Sequence, residues 1–445
     1  MRRTVTALIG FILASVLAAC GSNDSGQQST TLRQTVGVNT HYASGGTVDG
    51  EGLHRLAEAG VSFIRNDLTW ASVEKQRGEY DFVGSGFDEL VETAEAAGLR
   101  LLFILGYGNR LYGDGSAVVD EEGRRAFAAF AAAAATRYGG RGHAWEIWNE
   151  PNLVRFWNSS AGGPDPQLYA ELVGTTVSAL RAADPRGEIA AGALSYIFPT
   201  AVEALKLGVG GPRFLEAVAA ARGLASVDAV TLHLYRFDGP ESVGTDIDGA
   251  SQILLDASAS LPLWSGEWGY STYDPNAPAT GFNYLPAVTL NRQASYVARM
   301  LLVNYSLGLP RSVIYDDRDD QNPDPGNIEN HFGIMFEDLT PKPALTAVAT
   351  LIQLIGNAGP PETLSLGPGE HRLVFHPGGG QQVVALWSEQ EATWLLKGSD
   401  GARIVGRDGS DLTPDDFSDG ARLTIEPDDG PIYLLGDVDV ESVGQ

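Results

Sequence analysis

A (β/α)8 barrel with a small C-terminal β-sandwich is the fold this sequence predicts, and three observations carry it. From Val36 to about Gly356, short β-branched or apolar runs alternate with longer segments of helical period. The short runs number eight, which over about 320 residues is the arithmetic of a single barrel. Beyond residue 356 the helical period stops, and short strands follow one another between Gly, Pro and Asp clusters.

Taken in order, the first strand is Val36–His41, followed by a helix over about 49–59 whose Leu53, Leu56 and Ala57 share a face. Val61–Asn66 is the second strand, and Leu101–Leu105, after a helix over 87–97, is the third. An alanine-rich helix over 121–138 leads into the fourth, Ala144–Asn149; alanine favours helix and lets helices approach the barrel wall. The fifth is Glu188–Ala193, the sixth Asp228–Tyr235, the seventh Leu261–Glu267 and the eighth Ser312–Asp316, with a last helix over 343–355. A doubly wound open sheet would want a glycine-rich phosphate fingerprint after its first strand, and none is present. Arg372–Phe375, Gln382–Trp387, Ala392–Leu396, Ala421–Ile425 and Ile432–Leu435 supply the sandwich, so that the barrel is expected over 36–356 and the accessory domain over 357–445.

The N-terminus has a separate logic. Arg2 and Arg3 precede an apolar stretch from Val5 to Ala19, the order of a signal peptide over 1–19, and the apolar part is shorter than the roughly 20 residues that span a bilayer. Cys20 is the only cysteine in 445 residues. Leu17-Ala-Ala-Cys20 resembles the lipobox of bacterial lipoproteins, so Cys20 is expected to carry lipid and residues 20–35 to form a flexible tether to an extracytoplasmic membrane surface. With no second thiol the fold has no internal disulfide and must rest on its core. The formal net charge of −26, deepened by two when Arg2 and Arg3 leave, repels polyanions. Nucleic acid and acidic polysaccharides are therefore poor partners, a neutral ligand is indifferent to the field, and a monomer is expected.

In a barrel, working groups project from the carboxyl ends of the strands. That rule selects His41, Arg65, Tyr107, Asn149, Glu150, His233, Tyr235, Glu267, Trp268 and Tyr315. Glu150 stands out because Trp145-Glu-Ile-Trp-Asn-Glu-Pro-Asn152 ends an apolar strand on a carboxylate that packing does not require. Glu267, in Trp264-Ser-Gly-Glu-Trp-Gly-Tyr270, is a second one three strands later. Asp316-Asp-Arg-Asp-Asp320 is the remaining acidic cluster; it fails the EF-hand test, with Pro325 at the glycine position and His331 at the twelfth, so no metal is expected and the segment reads as a solvated loop over the cleft.

On these motifs the chain resembles the glycoside hydrolases of clan A, and within them family 39, through Ile64-Arg-Asn-Asp-Leu-Thr-Trp70 with Glu74, Gly78-Glu-Tyr-Asp-Phe82, Trp145–Asn152 and Gly266-Glu-Trp-Gly-Tyr-Ser271. The resemblance implies that Glu150 is the general acid and base and Glu267 the nucleophile of a retaining hydrolase of neutral β-linked polysaccharide or oligosaccharide, working without a cofactor. Breaking a glycosidic bond needs one protonated and one ionised carboxyl, and in the retaining geometry they lie about 5–5.5 Å apart. The resemblance further implies that Arg65, His233 and Tyr235 orient Glu267, and that Asn149 binds the sugar 2-hydroxyl. Trp268 and Tyr107 are candidate stacking surfaces and His41 a hydroxyl contact. Many clan members place a tryptophan near the end of strand eight where Tyr315 stands here. An exo-acting enzyme similar to β-xylosidases and a non-catalytic glycan-binding lipoprotein are the alternatives.

Overall fold

The computed structural model describes residues 30–443 apart from 44–46, 159–161, 198, 282, 400 and 416. The expected signal peptide, Cys20 and the tether as far as Ser29 lie outside the described residues. Eight parallel strands close into a barrel: β1 Val36–Thr40, β2 Phe63–Thr69, β3 Arg100–Gly106, β4 Ala144–Ile147, β5 Glu188–Ser195, β6 Ala229–His233, β7 Leu263–Trp268 and β8 Ser312–Ile314. Each strand pairs with its sequence neighbours, and β8 pairs with β1. The crossovers between these parallel strands carry the helices, and the principal ones are α1 Gly50–Glu58, α2 Phe87–Ala96, α3 Glu121–Tyr138, α4 Pro166–Ala183, α5 Gly211–Ala220, α6 Val243–Asp256, α7 Leu290–Ser306 and α8 Pro343–Ile355.

Local chemistry fixes where these helices start. Asp49 accepts from the backbone N–H of Glu51 and Gly52, Asp120 from Gly123 and Asp165 from Gln167 and Leu168, each satisfying donors that the first turn would leave open. The alanines of α3 let Phe127, Phe130 and Tyr138 reach the barrel, where Tyr138 stacks on Phe103 of β3.

One expectation is shortened at the N-terminus. Leu32–Thr35 forms a helical turn rather than tether: Leu32 is buried, and the Leu32 and Arg33 N–H groups donate to Ala358 and Gly356 beyond α8. An apolar residue with a covered site and satisfied backbone partners has no reason to stay in solvent.

The C-terminal domain has two sheets built from β9 Glu362–Gly367, β10 Glu370–Gly378, β11 Gln381–Ser388, β12 Ala392–Gly398, β13 Arg403–Val405, β14 Ala421–Ile425, β15 Ile432–Leu435 and β16 Val438–Ser442. The larger runs β9-β10-β11-β15-β13 and the smaller β14-β12-β16, with Val384, Leu386, Trp394, Leu396 and Leu434 packed between them. The other face of the larger sheet, through Phe375, Trp387 and Tyr433, joins the barrel's own core. A polar clasp pins this contact: Arg299 of α7 pairs with Glu241, and Glu241 also accepts from the Trp387 indole at 2.8 Å.

Candidate active site

The barrel interior is layered, because alternate residues of a strand point the same way. Near the amino ends of the strands, Phe63, Leu102, Ala144, Ala190, Ala229, Trp264 and Val313 form a separate apolar cluster, one residue from each of β2 to β8. The eighth position is Gly37, where a Cβ would stand 2.3 Å from the Phe63 ring. Two residues further along, the character changes to Asn39, Arg65, Glu146, Thr231 and Gly266. Above these lies a cavity of about 800 Å³ at the carboxyl ends of the strands.

Arg65 organises the polar layer. It is buried, and its Nε donates to Glu146 at 2.7 Å, its Nη1 to Glu267 at 2.7 Å and Asn39 at 3.0 Å, and its Nη2 to Asn149 at 2.8 Å. Glu146 also accepts from Thr231 at 2.6 Å, so both of its oxygens are engaged. Burial works against the Arg65 charge, but the two carboxylates outweigh it and hold the guanidinium above its ordinary value.

Glu267 is reached by a bulge in β7. Across β7, Ser265 and Glu267 face Leu232 and His233 of β6, while Ser265 and Trp268 face Ser312 and Ile314 of β8, so one extra residue is accommodated at Gly266. A Cβ at Gly266 would meet Thr231 at 3.1 Å. The bulge turns both Gly266 and Glu267 inward and sends Trp268 out. Trp268 is therefore not a sugar platform: it is fully buried between barrel and helices, its indole donating to Ser312 at 3.0 Å. Glu267 itself accepts from the Tyr235 hydroxyl at 2.7 Å. Burial pushes its carboxyl up, but the His233 ring 3.7 Å away, Arg65 and the Tyr235 hydroxyl more than offset this and bring it below its ordinary value.

Glu150 has a different setting. Its φ of 41° lies in the left-handed region, where a glutamate is strained, and its N–H donates to Ala193 of β5. Its one described side-chain partner is His233, whose Nδ1 is 3.0 Å from Oε1. The tautomer follows from the other ring nitrogen: Nε2 lies 3.3 Å from Arg65 Nη2, and a guanidinium only donates, so Nε2 accepts and the proton sits on Nδ1, facing Glu150. One oxygen from each of Glu150 and Glu267, with a ring nitrogen of His233, lie within 4.8 Å of one another, and among the described residues this is the group that could hold a cation.

The remaining expected residues fall around the same cavity. Asn149, Glu150, Arg65, Tyr235, Glu267, His41, Tyr107 and Tyr315 all line it, whereas His233 is buried beside the two glutamates. His41 is half exposed at the rim, and Tyr107 donates to Asp67 at 3.0 Å. Among the lining or supporting residues that the strand-end rule does not select are Glu146, Asp67, Tyr284 and Glu329. Period two would have found Glu146, two places beyond Ala144, and Asp67, two beyond Arg65, once β2 is extended to Thr69. Tyr284 and Glu329 come from long loops, whose approach to the mouth no local pattern announces.

The acidic segment after β8 also departs from expectation. Asp316, Asp317 and Asp319 are buried rather than solvated. Asp317 accepts from Tyr42 at 2.6 Å and Asp319 pairs with buried Lys342 at 2.6 Å, so partners from β1's loop and the start of α8 draw the segment inward.

No protein-family model and no curated protein matches the chain. Among solved structures, a family 39 glycoside hydrolase from Bacteroides cellulosilyticus WH2 superposes with a TM-score of 0.72 at 23% identity, covering 91% of this chain and 82% of that one. A family 39 β-xylosidase from Caulobacter crescentus gives 0.61 at 18% identity, over 90% and 95%. A family 30 endoxylanase from Clostridium papyrosolvens C71 gives 0.60 at 9% identity, over 92% and 98%. The barrel with its appended sandwich is thus an architecture shared with glycoside hydrolases; at these identities the likeness is one of fold.

Proposed function

We propose that the protein is a retaining hydrolase of neutral β-glycosides, with Glu267 as nucleophile and Glu150 as acid and base. The observation that carries this reading is that two carboxylates meet within 4.8 Å across one cavity in opposite settings. Glu267 is held ionised by a guanidinium, a phenol and the nearby His233 ring, whereas the described side-chain partner of Glu150 is the imidazole of His233 alone. Oxygens this near each other fit the roughly 5–5.5 Å of a retaining pair better than the roughly 6.5–9.5 Å that an inverting enzyme needs to admit water between the carboxyls.

The steps follow from that asymmetry. Glu267 attacks the anomeric carbon while the glycosidic bond breaks, and the departing oxygen takes its electron pair and the proton of Glu150. Glu150, now ionised, takes a proton from water as that water attacks the same carbon, and the ester bond to Glu267 breaks. Asn149, fixed by Arg65, is placed to accept or donate at the sugar 2-hydroxyl, a contact that strengthens in the transition state. A neutral sugar is favoured because the lining carboxylates Asp67, Glu150, Glu267 and Glu329 are set against the cations Arg65, Arg155 and Lys206, which leaves neither sign in clear excess. Family 39 and β-xylosidase names among the structural neighbours support a pentose or hexose glycoside as substrate. Lipid attachment at Cys20, with the barrel held outside the cytoplasm of a bacterium, completes the proposal and rests on the sequence alone.

The test is sugar release from a panel of aryl β-glycosides and neutral β-linked saccharides, with the first-formed anomer followed by NMR. Release of the β-anomer by the native protein, reduced on the order of 10⁴-fold or more in Glu267→Gln, is expected. First release of the α-anomer would overturn retention. Absence of release from every substrate, with equal saccharide binding by both proteins, would replace the enzyme with a glycan-binding protein.

A further inference from the structure

The cavity has two unlike sides, set opposite each other across the barrel mouth. On the side of β1, β2, β7 and β8 the lining is polar: Asn39, His41, Arg65, Asp67, Glu267 and Tyr315. On the side of β4 and β5, beyond the strand-end residues Asn149, Glu150 and Ser195, it is largely apolar, from Leu153, Val154, Phe156, Ile197, Leu205 and Leu207. The apolar side is a built feature rather than two loose loops. The segment after Glu150 pairs with the segment after the short helix Pro199–Ala204, Val154 N–H donating to Leu207 at 2.8 Å and Val209 N–H to Asn152 at 2.8 Å. Gly208 permits this approach, since a Cβ there would lie 2.1 Å from the Asn152 carbonyl. Buried Asn152 locks the ribbon to the barrel, donating to Ser195 and Val209 and accepting from the Ser195 N–H at 3.0 Å.

Leu205 and Leu207 nevertheless remain 61% and 44% exposed. A pair of leucines held at the mouth of a cavity by a hydrogen-bonded ribbon is surface that a ligand can cover. The two cations of this side, Arg155 and Lys206, are exposed at its rim, and the Arg155 guanidinium lies over the Phe156 ring at 5.3 Å.

The chemistry assigns each side. If Glu150 protonates the departing oxygen, the leaving group lies on the side of Glu150, which is the side of β4, and Leu153 is only one turn away, its N–H bonded to the Glu150 carbonyl. The sugar that forms the ester with Glu267 then lies against the polar side, where hydroxyls find partners. We infer that the leaving-group side is built for an apolar alcohol, so that the substrate is a neutral sugar β-linked to an alkyl or similarly hydrophobic aglycone rather than to another sugar. A saccharide leaving group would present most of its hydroxyls to these six side chains, which can satisfy none of them, with Ser195 and the rim cations Arg155 and Lys206 as the polar groups beyond the two strand-end residues on that side. This inference rests on the reading of Glu150 as acid.

The experiment uses the glycone found by the aryl panel and compares methyl, butyl and octyl β-glycosides with the β-linked disaccharide of the same sugar. Expected is a rise in kcat/KM of about threefold to fourfold for each methylene covered, or about 30-fold and more from methyl to octyl, with the disaccharide below octyl. Leu205→Ser with Leu207→Ser, at exposed sites that tolerate substitution, is expected to cut the octyl-to-methyl ratio by about tenfold. A flat alkyl series, or a disaccharide preferred to the octyl glycoside, would overturn the inference while leaving the hydrolase intact. Should no glycoside be cleaved, calorimetry with methyl and octyl 1-thio-β-glycosides decides separately: tighter octyl binding, lost in the double variant, upholds the apolar site, and equal binding overturns it.

Discussion

Two layers of the same barrel, one residue pair apart along each strand, are built on opposite principles. The lower one is filled by volume: Phe63 and Trp264 take the space that Gly37, Ala144, Ala190 and Ala229 leave, and the Arg311 guanidinium closes it from outside, 4.9 and 4.7 Å from the two rings. The upper one is filled by charge, with Arg65 shared between Glu146 and Glu267. Packing tolerates neighbours of any identity that fill the space; a buried charge layer tolerates only a complete set of partners. The difference separates the part of the barrel that supplies stability from the part that stability has to support.

Removing Arg65 is the harshest way to break the upper layer. Arg65→Met leaves Glu146, which is fully buried, and Glu267 without their cation, and the expected cost is about 3–5 kcal/mol in denaturant unfolding together with loss of activity. Full stability in this variant would show that the layer needs neither the Arg65 charge nor the hydrogen bonds that Arg65 donates. Trp264→Ala attacks the lower layer and should cost a comparable or slightly smaller amount, about 3–5 kcal/mol for an aromatic truncated in a packed core. Its signature is different: the folded fraction should keep its kcat, measured with the best aryl glycoside. A kcat lowered in proportion to stability would mean that the two layers are mechanically coupled.

How far these layers could be read from sequence follows from the same contrast. The strand runs were legible because buried parallel strands are apolar throughout, and Glu150 and Glu267 were legible because a carboxylate at the end of such a run has no packing purpose. Glu146 was overlooked although it interrupts an apolar strand, because its inward direction shows only when Ala144 is recognised as a lower-layer position. Trp268 was misplaced because a bulge at Gly266 changes which neighbour faces in, and a bulge depends on cross-strand pairing that local sequence does not encode. The Asp316–Asp320 segment looked like solvent-facing loop because its partners, Tyr42 and Lys342, are remote in sequence. Tyr284 and Glu329 belong to loops for the same reason.

A gentler change sharpens the comparison inside the upper layer. Tyr235→Phe removes one hydroxyl and no volume, and with it a hydrogen bond of 2.7 Å to the ionised Glu267. Such a bond favours the charged form, so its loss raises the carboxyl, and the acid limb of kcat/KM should move up by about one to two pH units, equivalent to about 1.5–3 kcal/mol. The alkaline limb and the melting temperature near neutrality should change little. An unmoved acid limb would show that His233 and Arg65 hold Glu267 ionised without the Tyr235 hydroxyl.

The smallest effect is expected where a carboxyl has been buried after β8 with one oxygen lacking a hydrogen bond. Burial, and then the neighbouring Asp317, Asp320 and Asp319, push the Asp316 carboxyl well above its ordinary value, and its Oδ1 has no hydrogen bond. The sign is opposite to that of Glu267. Glu267, lowered on folding, adds stability above the unfolded pKa that is lost as pH falls through its folded value. Asp316, raised on folding, favours the folded state most below the unfolded pKa, and that advantage is lost as pH rises through the folded value. Asp316→Asn removes the charge with little change of shape, so it should stabilise the protein at pH 7 by about 1–2 kcal/mol and bring no gain near pH 4, as read from urea midpoints at the two pH values. Destabilisation at pH 7 would mean that the Asp316 charge is matched after all, through His41 at 3.9 Å, and that the rim of the cavity obeys the same rule of complete partnering as the layer beneath it.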